Sequence, residues 1–509
     1  MQIKLTEHED KVISFLLQVV NEKTPNTTLR IAGGWVRDKL LGLQSHDIDI
    51  AIDNMSGLAF AKLVQQVMHE QGLPEKHLAV IEARPEDSKH LETVQLNVLG
   101  LVIDFVNLRK EDYADTRIPN IEPGTPKEDA LRRDLTINSL FFNLNTMDIE
   151  DFSEHGLADL QAGICRTPID PLKTFIDDPL RVMRTIRFAA KYSFHVDDQL
   201  RNAAKSSQVH EAFLKKISWD RIWTEMIGQK EGDNWKHGFL TGPNPPIALM
   251  LLAELGYRDI LFRPPEGDLN PWDTDQNSHH HDLNIWDHTV SAFNYLFVDS
   301  LTENGIFSRF SNEENAIRNL AMILHDIGKC DCRFRQDKED GTYSYKRHEE
   351  GSAEWSDIIL QRINAPTDIR ERVIKLVGEH MRLHMLPDKP TDKSLRKFIR
   401  DLDSDWEHSL DIAIADAYGK KSAMFDKSIR VRYEEFRTRI KYLLANQNNK
   451  TKIERPINGY DLMQHLNIKP GPKIGQLFNA LDEELLENPN MTREEAFAFI
   501  DGIKNEGVA

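Results

Sequence analysis

Near the start of the chain apolar residues recur at three- and four-residue intervals, and Val12, Phe15, Leu16 and Val19 fall on one stripe. That spacing predicts an amphipathic helix over residues 1–24, leading into a strand around 28–33. From there to about 145 the pattern keeps changing. Runs of strand character (LRIAGG, IDIAID, VQLNVLGLVIDFVNL, LTINSLFFNL) are interleaved with a helical stretch near 56–72, which reads as a mixed α/β module. Beyond about 172 the periodicity is helical almost throughout, most clearly in PLRVMRTIRFAAKY. The segment 262–278, FRPPEGDLNPWDTDQNS, reads as a linker from its Pro, Gly, Asp and Asn. A histidine-rich helical region follows to about 420. Then come RVRYEEFRTRIKYLL (430–444), a polar spacer ANQNNKTK, and INGYDLMQHLNIKPGPKIG.

With 509 residues the chain exceeds what one core can organise. The balance of 40% hydrophobic and 29% charged residues is globular rather than disordered. No run of about 18 apolar residues is present to cross a membrane. The first residues, MQIKLTEHEDKV, are acidic and lack the apolar core of a signal sequence. Three cysteines, Cys165, Cys330 and Cys332, suit a reducing compartment, so the expected location is the cytoplasm. Cys330-x-Cys332 has no second thiol pair and reads as two incidental thiols. A net charge of −18 argues against nonspecific nucleic-acid binding, so an RNA partner would have to meet locally concentrated positive charge.

The stretch 31–50, IAGGWVRDKLLGLQSHDIDI, carries the first candidate chemistry. On a strand, Asp47 and Asp49 would point the same way and repel unless a cation sits between them. Asp104, in the apolar run LGLVIDFVNL, likewise calls for a partner. An oxygen-only set of this kind suits Mg²⁺ shared with phosphates, with room for two ions about 3.5–4 Å apart. Gly33 and Gly34, lacking Cβ atoms, would let backbone N–H groups approach phosphate oxygens.

GGWVRDKLLG, DIDIAID, RRDLTINSLFFN (132–143) and DDPLRVMRTIRFAAKY (177–192) together resemble the successive signatures of class II tRNA nucleotidyltransferases. These are the CCA-adding enzymes of the polymerase-β superfamily, related to bacterial poly(A) polymerases. The resemblance spans roughly 28–260. It implies that Asp47 and Asp49 bind the metals, that Gly34, Arg37 and Arg133 contact the nucleotide, and that Asp104 is the third carboxylate. It also implies tRNA, CTP and ATP as partners. Poly(A) polymerase and an enzyme adding only CC or A remain as alternatives.

Asp178 and Arg181 stand at i,i+3 and would share a helix face. Cytosine and adenine each offer an amino donor beside a ring-nitrogen acceptor, and uracil and guanine offer the reverse. A carboxylate beside a guanidinium therefore matches the first pair and leaves unpaired groups against the second. The family commonly has Glu where Asp177 stands. Arg184 and Arg187 continue the row and read as triphosphate contacts. The charged, proline-punctuated stretch 109–131 reads as a long functional loop. It resembles the versions in enzymes that add all three nucleotides. ISWDRIWTEM (217–226) resembles the family's neck motif, with Arg221 and Glu225 as a structural pair.

A second set lies between 281 and 416: His288 in NIWDHTVSAF, His325 and Asp326 in AMILHDIGK, His348 in KRHEEGSA, His380 and His384 in VGEHMRLH, and Asp416 in DIAIADAY. Burying His325-Asp326 in an apolar helix without a cation is costly. The series H…HD…D resembles an HD-domain phosphohydrolase. His288, His325, Asp326 and Asp416 are its expected metal ligands, with His348 and His380 as auxiliary ligands or phosphate contacts. Ni, Mn, Fe, Zn and Mg all stay open. By resemblance, such domains on CCA-adding enzymes act as 2′,3′-cyclic phosphodiesterase, 2′-nucleotidase and phosphatase. In the tail, Arg430, Arg432, Arg437, Arg439 and Lys441 form a candidate tRNA-phosphate row. INGYDLMQHLNIKPGPKIG resembles the C-terminal segment of several CCA-adding enzymes, with Gly471 expected at a tight turn into the last helix.

The expected architecture is α+β. A polymerase-β-type nucleotidyltransferase head with its N-terminal helix (1–145) precedes an all-α neck and body (146–262), an all-α HD domain (277–425) and a helical tail (426–509).

Overall fold

The computed structural model describes residues 3–45, 47–74, 78–81, 93–113, 119–231, 234–265, 271–273, 275–276, 283–301, 310–420, 427–446, 455–485, 488 and 490–505. Parts of the expected linker and of the 109–131 loop lie outside these residues. So do most of the polar spacer and the boundaries set at 277 and 425–426. The chain divides into two compact units, Met1–Arg263 and Pro264–Ala509. Among the described residues no helix is long and apolar enough to cross a membrane.

The first unit opens on the helix Glu7–Lys23, which buries Val12, Phe15, Leu16 and Val19. Thr6 and Glu9 close a reciprocal capping box at its start. Glu9 also accepts from Trp35 Nε1 at 3.2 Å and from Lys39 Nζ at 2.7 Å. It thereby ties this helix to the short helix Gly34–Leu40.

The strands are β1 (Leu29–Ala32), β2 (Ile48–Ile52), β3 (Ala79–Ile81), β4 (Thr93–Val98), β5 (Leu101–Asn107), β6 (Arg109–Asp112), β7 (Asn120–Pro123), β8 (Phe141–Asn143) and β9 (Asp148–Glu150). Seven of them form one sheet, in the order β3-β4-β5-β2-β1-β8-β9. Within it β2 and β5 run parallel.

Three expectations change here. The run 94–108 is two antiparallel strands, because Leu99 (φ 50°) and Gly100 (φ 99°) make a two-residue hairpin turn. LTINSLFFNL is a 3₁₀ turn at Thr136–Asn138 followed by the short strand β8. The expected loop contains the hairpin β6–β7 and the helix Pro126–Leu131, whose Thr125–Glu128 capping box was legible in TPKE. The helical remainder of the unit also carries a hairpin at Gly228–Glu231 and Asn234–His237.

The second unit is built mostly from helices. Asn312–Leu324 and Trp406–Tyr418 are enclosed almost all round, the signature of buried helices. A hairpin pairs Arg335–Asp337 with Tyr343–Tyr345, so this unit is not wholly α. The helices Gly459–Leu466, Pro472–Leu485 and Arg493–Asn505 enclose their own core of Leu462, Leu481 and Ile500. Gly471 leads into the first turn of Pro472–Leu485 rather than into the last helix, and its φ is not positive.

Glu9 is the buried junction of the first unit. Glu9→Ala is expected to lower its unfolding free energy by about 2–4 kcal/mol. Glu7→Ala on the exposed face should change it by less than about 0.5 kcal/mol. Urea titrations followed by hydrogen exchange of the helix Glu7–Lys23 read the difference, and equal effects would contradict the junction role.

Candidate active site

Strand register builds the first cluster. Asp49 on β2 is the direct partner of Asp104 on the parallel strand β5, so their side chains leave the same face as neighbours. Asp47 stands one residue before β2. Carboxylate oxygens of Asp47, Asp49 and Asp104 all come within 4.8 Å of one another. Burial and the charges of Asp47 and Asp104 raise the Asp49 carboxyl to about 7, against smaller opposing effects of Arg133 and Lys236. A carboxylate held so far above its usual range marks a place where positive charge is missing. The oxygen-only set fits Mg²⁺. Gln95 Nε2 on β4 donates to Asp104 Oδ1 at 2.9 Å and fixes its orientation, a contact that only the hairpin register reveals.

The glycine loop is placed differently from expectation. Gly33 adopts φ +67°, which favours glycine, and a Cβ there would lie 2.5 Å from Arg133 Nη1 and displace that guanidinium. Its N–H, however, donates to the Leu140 carbonyl at 2.9 Å and is already used. Gly34 begins the helix Gly34–Leu40. Arg37 is buried, donates to Asp38 and Asn138, and lies 5.0 Å from the Phe188 and Tyr192 ring centres. Its guanidinium is enclosed by these groups. Arg133 donates twice to Asp129 and once to the Asn138 carbonyl, and it covers Gly33 beside the carboxylates.

Asp178 precedes the helix Leu180–Tyr192 in extended backbone instead of sharing its face with Arg181. Between them the Arg181 backbone N–H donates to the Asp178 carbonyl at 3.1 Å, while the two side chains turn to other partners. Asp178 Oδ2 accepts from Arg221 Nη2 at 3.2 Å. Arg181 Nη2 donates to the Arg132 carbonyl at 2.7 Å and lies 3.8 Å from Glu111.

The expected Arg221–Glu225 pair is therefore replaced. Arg221 goes to Asp178, while Glu225 takes Arg187 at 2.6 Å and Arg184 at 3.5 Å. Arg184 also donates to Asp134 at 2.8 Å. Arg184 and Arg187 are thus each held by carboxylates. Glu111 is a further hub missed from sequence. On the hairpin β6–β7 it accepts from Arg132 and the Tyr113 hydroxyl, each at 2.9 Å, and forms an ion pair with Arg109 at 2.9 Å.

The second unit gathers all six residues expected around its histidine motif. His288, His325, Asp326 and Asp416 bring ligand atoms within 4.8 Å of one another, as do Asp326, His348 and His380, and all are buried. Asp416 Oδ1 lies 2.9 Å from His288 Nε2. Burial works against their charges, yet the His325 and Lys329 cations hold Asp326 well below the carboxylate range, and the neighbouring His288, His325 and His384 do the same for Asp416. Against burial, Asp326 and Asp416 push His325 up to about 10. Burial and the neighbouring His348 and His325 hold His380 well below its ordinary value, so that ring stays neutral.

Two more groups border the cluster. Lys329 Nζ is 2.6 Å from Asp326 Oδ2. His384 Nε2 is 2.9 Å from Asp416 Oδ2, with its Nδ1 2.7 Å from the Tyr433 hydroxyl. The i,i+4 spacing of His380 and His384 was the available signal for the latter. Neither Cys330 nor Cys332 joins a candidate metal group among the described residues. In the tail helix Lys427–Asn446, Arg432 faces Asp388, Arg437 faces Asp411, Arg439 faces Asp392 and Lys441 faces Glu407. Four of the five expected phosphate contacts are thus already paired with acids.

The Poly A polymerase head domain family matches residues 29–166, the span that holds the three aspartates. Over its full length the chain is 31% identical to the mitochondrial CCA tRNA nucleotidyltransferase of Saccharomyces cerevisiae, covering 99% of this chain and 94% of that protein. The chain belongs to the CCA tRNA nucleotidyltransferase family. This nucleotidyltransferase is also 25% identical to an A-adding tRNA nucleotidyltransferase of Deinococcus radiodurans, over 92% of this chain and 94% of that one. Its fold is similar to the Bacillus stearothermophilus CCA-adding enzyme solved in complex with CTP, with a TM-score of 0.58 at 18% identity over 99% of both chains.

A proton on Asp49 competes with the metal. Above pH 7 the carboxylate is ionised and the Mg²⁺ requirement should be flat. Below about pH 7 the Mg²⁺ concentration giving half-maximal nucleotide incorporation should rise, by up to about tenfold per pH unit. A requirement unchanged between pH 5.5 and 8 would contradict the raised carboxyl.

Proposed function

We propose that the protein completes the 3′ end of tRNA with CCA, using CTP and ATP and no nucleic-acid template. The observation that carries this reading is the convergence of Asp47, Asp49 and Asp104 across neighbouring strands. These three would hold Mg²⁺, which supplies activation of the RNA 3′-hydroxyl and charge neutralisation on the triphosphate. The chain's own part is to aim the carboxylates. Parallel register sets Asp49 against Asp104, and Gln95 fixes the latter. Arg133, anchored by Asp129 over Gly33, contributes a positive charge beside them.

Base choice is assigned to Asp178 and Arg181. Arg221 holds the acceptor, while the Arg132 carbonyl and the hairpin residue Glu111 hold the donor. Each polar edge is thus braced independently of the other, which favours discrimination by unpaired groups when uracil or guanine is presented. Complete CCA addition is preferred over A-only addition because the 109–131 sequence resembles that of enzymes that add all three nucleotides.

A second activity is proposed for the second unit: metal-dependent hydrolysis of phosphoesters at damaged tRNA ends, restoring a free 3′-hydroxyl. The buried set His288, His325, Asp326 and Asp416 supports it, since two enclosed carboxylates with imidazole neighbours suit a divalent cation. The division into head, neck and body, HD domain and tail goes with this reading.

Incubation with tRNA truncated before the CCA separates the alternatives. CTP alone should add two residues and stop, ATP should then add one, and UTP and GTP should add none. Unlimited ATP addition would point to poly(A) polymerase instead. Asp178→Ala and Arg181→Ala should each reduce discrimination against UTP by about a hundredfold or more, with little change in the Mg²⁺ requirement. Variants that still reject UTP as wild type does would overturn the base-reading assignment.

A further inference from the structure

A hairpin interrupts the helical part of the first unit directly after the helix Trp219–Ile227. Its strands, Gly228–Glu231 and Asn234–His237, set Lys236 across from Gln229, and both residues are exposed. The root of the hairpin is pinned. Gly228 turns the chain at φ +95°, where a Cβ would strike the Lys236 carbonyl. Phe239 N–H donates to the Glu225 carbonyl at 2.9 Å, Leu240 N–H to the Met226 carbonyl at 2.8 Å, and Thr241 Oγ1 to the Ile227 carbonyl at 2.6 Å. The Glu225 side chain in turn holds Arg187, which ties the hairpin to the helix Leu180–Tyr192.

One turn beyond Arg187 the same helix presents Lys191. Lys191 Nζ lies 3.9 Å from Asp38 Oδ2, but Asp38 already accepts from Arg37 at 2.8 Å and from the Tyr192 hydroxyl at 2.7 Å. Burial, together with the cations Arg37, Arg187 and Lys236, holds the Lys191 amine below its ordinary value against the pull of Asp38. Lys236 and Arg133 are the cations that oppose the rise at Asp49. Positive charge is therefore crowded beside the three aspartates, and an anion held by the two lysines relieves the crowding. Nucleotidyl transfer brings two phosphate groups to this place. One is the triphosphate, to which Arg133 over Gly33 is assigned. The other is the last phosphodiester of the RNA, one sugar away from the attacking 3′-hydroxyl. Lys191 lies about 15 Å along the helix axis from the base reader Arg181, and Lys236 faces solvent, as the approach of a polymer end requires.

We propose that Lys191 and Lys236 together bind the 3′-terminal phosphodiester of the RNA being extended and so place its hydroxyl against the aspartates. This rests on the reading of the protein as a tRNA nucleotidyltransferase and names the residues that position the second substrate.

The test compares steady-state CTP incorporation with equilibrium binding of tRNA lacking its CCA, on the full-length protein. Lys191→Ala and Lys236→Ala should each raise the KM for tRNA about tenfold, the loss of one charge-assisted contact, and leave the KM for CTP unchanged. Each should also lower the slope of log Kd for tRNA against log salt by about 0.7. Lys236→Arg should restore both values. Lys62→Ala, which removes the same charge from an exposed position on the helix Gly57–Glu70, should alter neither. A raised KM for CTP with that for tRNA unchanged assigns the lysines to the triphosphate and overturns the proposal. Wild-type values for tRNA binding and KM in both alanine variants overturn it as well. Wild-type protein that incorporates no CTP overturns instead the nucleotidyltransferase reading beneath it.

Discussion

Acidic side chains drawn together by the fold are the constraint on which both sites depend. In the first unit three aspartates converge, and Asp49 is driven so far up that it binds a proton near neutrality. In the second unit Asp326 and Asp416 are enclosed, and His325 retains a proton to answer them. Sheet register and helix packing impose these arrangements, and only a cation relieves them. The same folding that makes each site unfavourable when empty makes it selective when filled. Oxygen ligands alone gather in one unit, and imidazoles outnumber carboxylates in the other.

Around the first site the charges form an ordered chain. Glu225 takes Arg187 and Arg184, Arg184 reaches Asp134, Arg221 holds Asp178, and Glu111 lies beside Arg181. Breaking such enclosed pairs one-sidedly is expensive, which keeps the base-reading groups from rotating freely. Glu111 sits on the β6–β7 hairpin, so that hairpin and the proposed reader share one electrostatic network.

Much of this was legible in the sequence because it depends on local order. DIDIAID announces a strand with two carboxylates, and the period of residues 12–19 announces a helix face. His325-Asp326 was likewise visible as chemistry that an apolar helix does not otherwise tolerate, and the other four residues of the second cluster came from the resemblance to an HD-domain phosphohydrolase. What escaped depends on partners far along the chain. Spacing does not say that Arg37 is enclosed by Phe188 and Tyr192, or that Glu225 takes Arg187 instead of Arg221. Nor does it say that the tail arginines meet Asp388, Asp392 and Asp411. The Leu99–Gly100 turn was missed for a different reason, since an uninterrupted apolar run conceals a hairpin whose first turn residue is a leucine at positive φ.

The central claim is that Asp47, Asp49 and Asp104 form one cation site that serves nucleotide. Crystals soaked with Mn²⁺ and a non-hydrolysable CTP analogue test it most directly, through anomalous scattering measured at the Mn edge. The account predicts a strong peak within coordination distance of Asp47 and Asp49, on the Asp104 side. Density for the analogue with no anomalous peak among these carboxylates would contradict it.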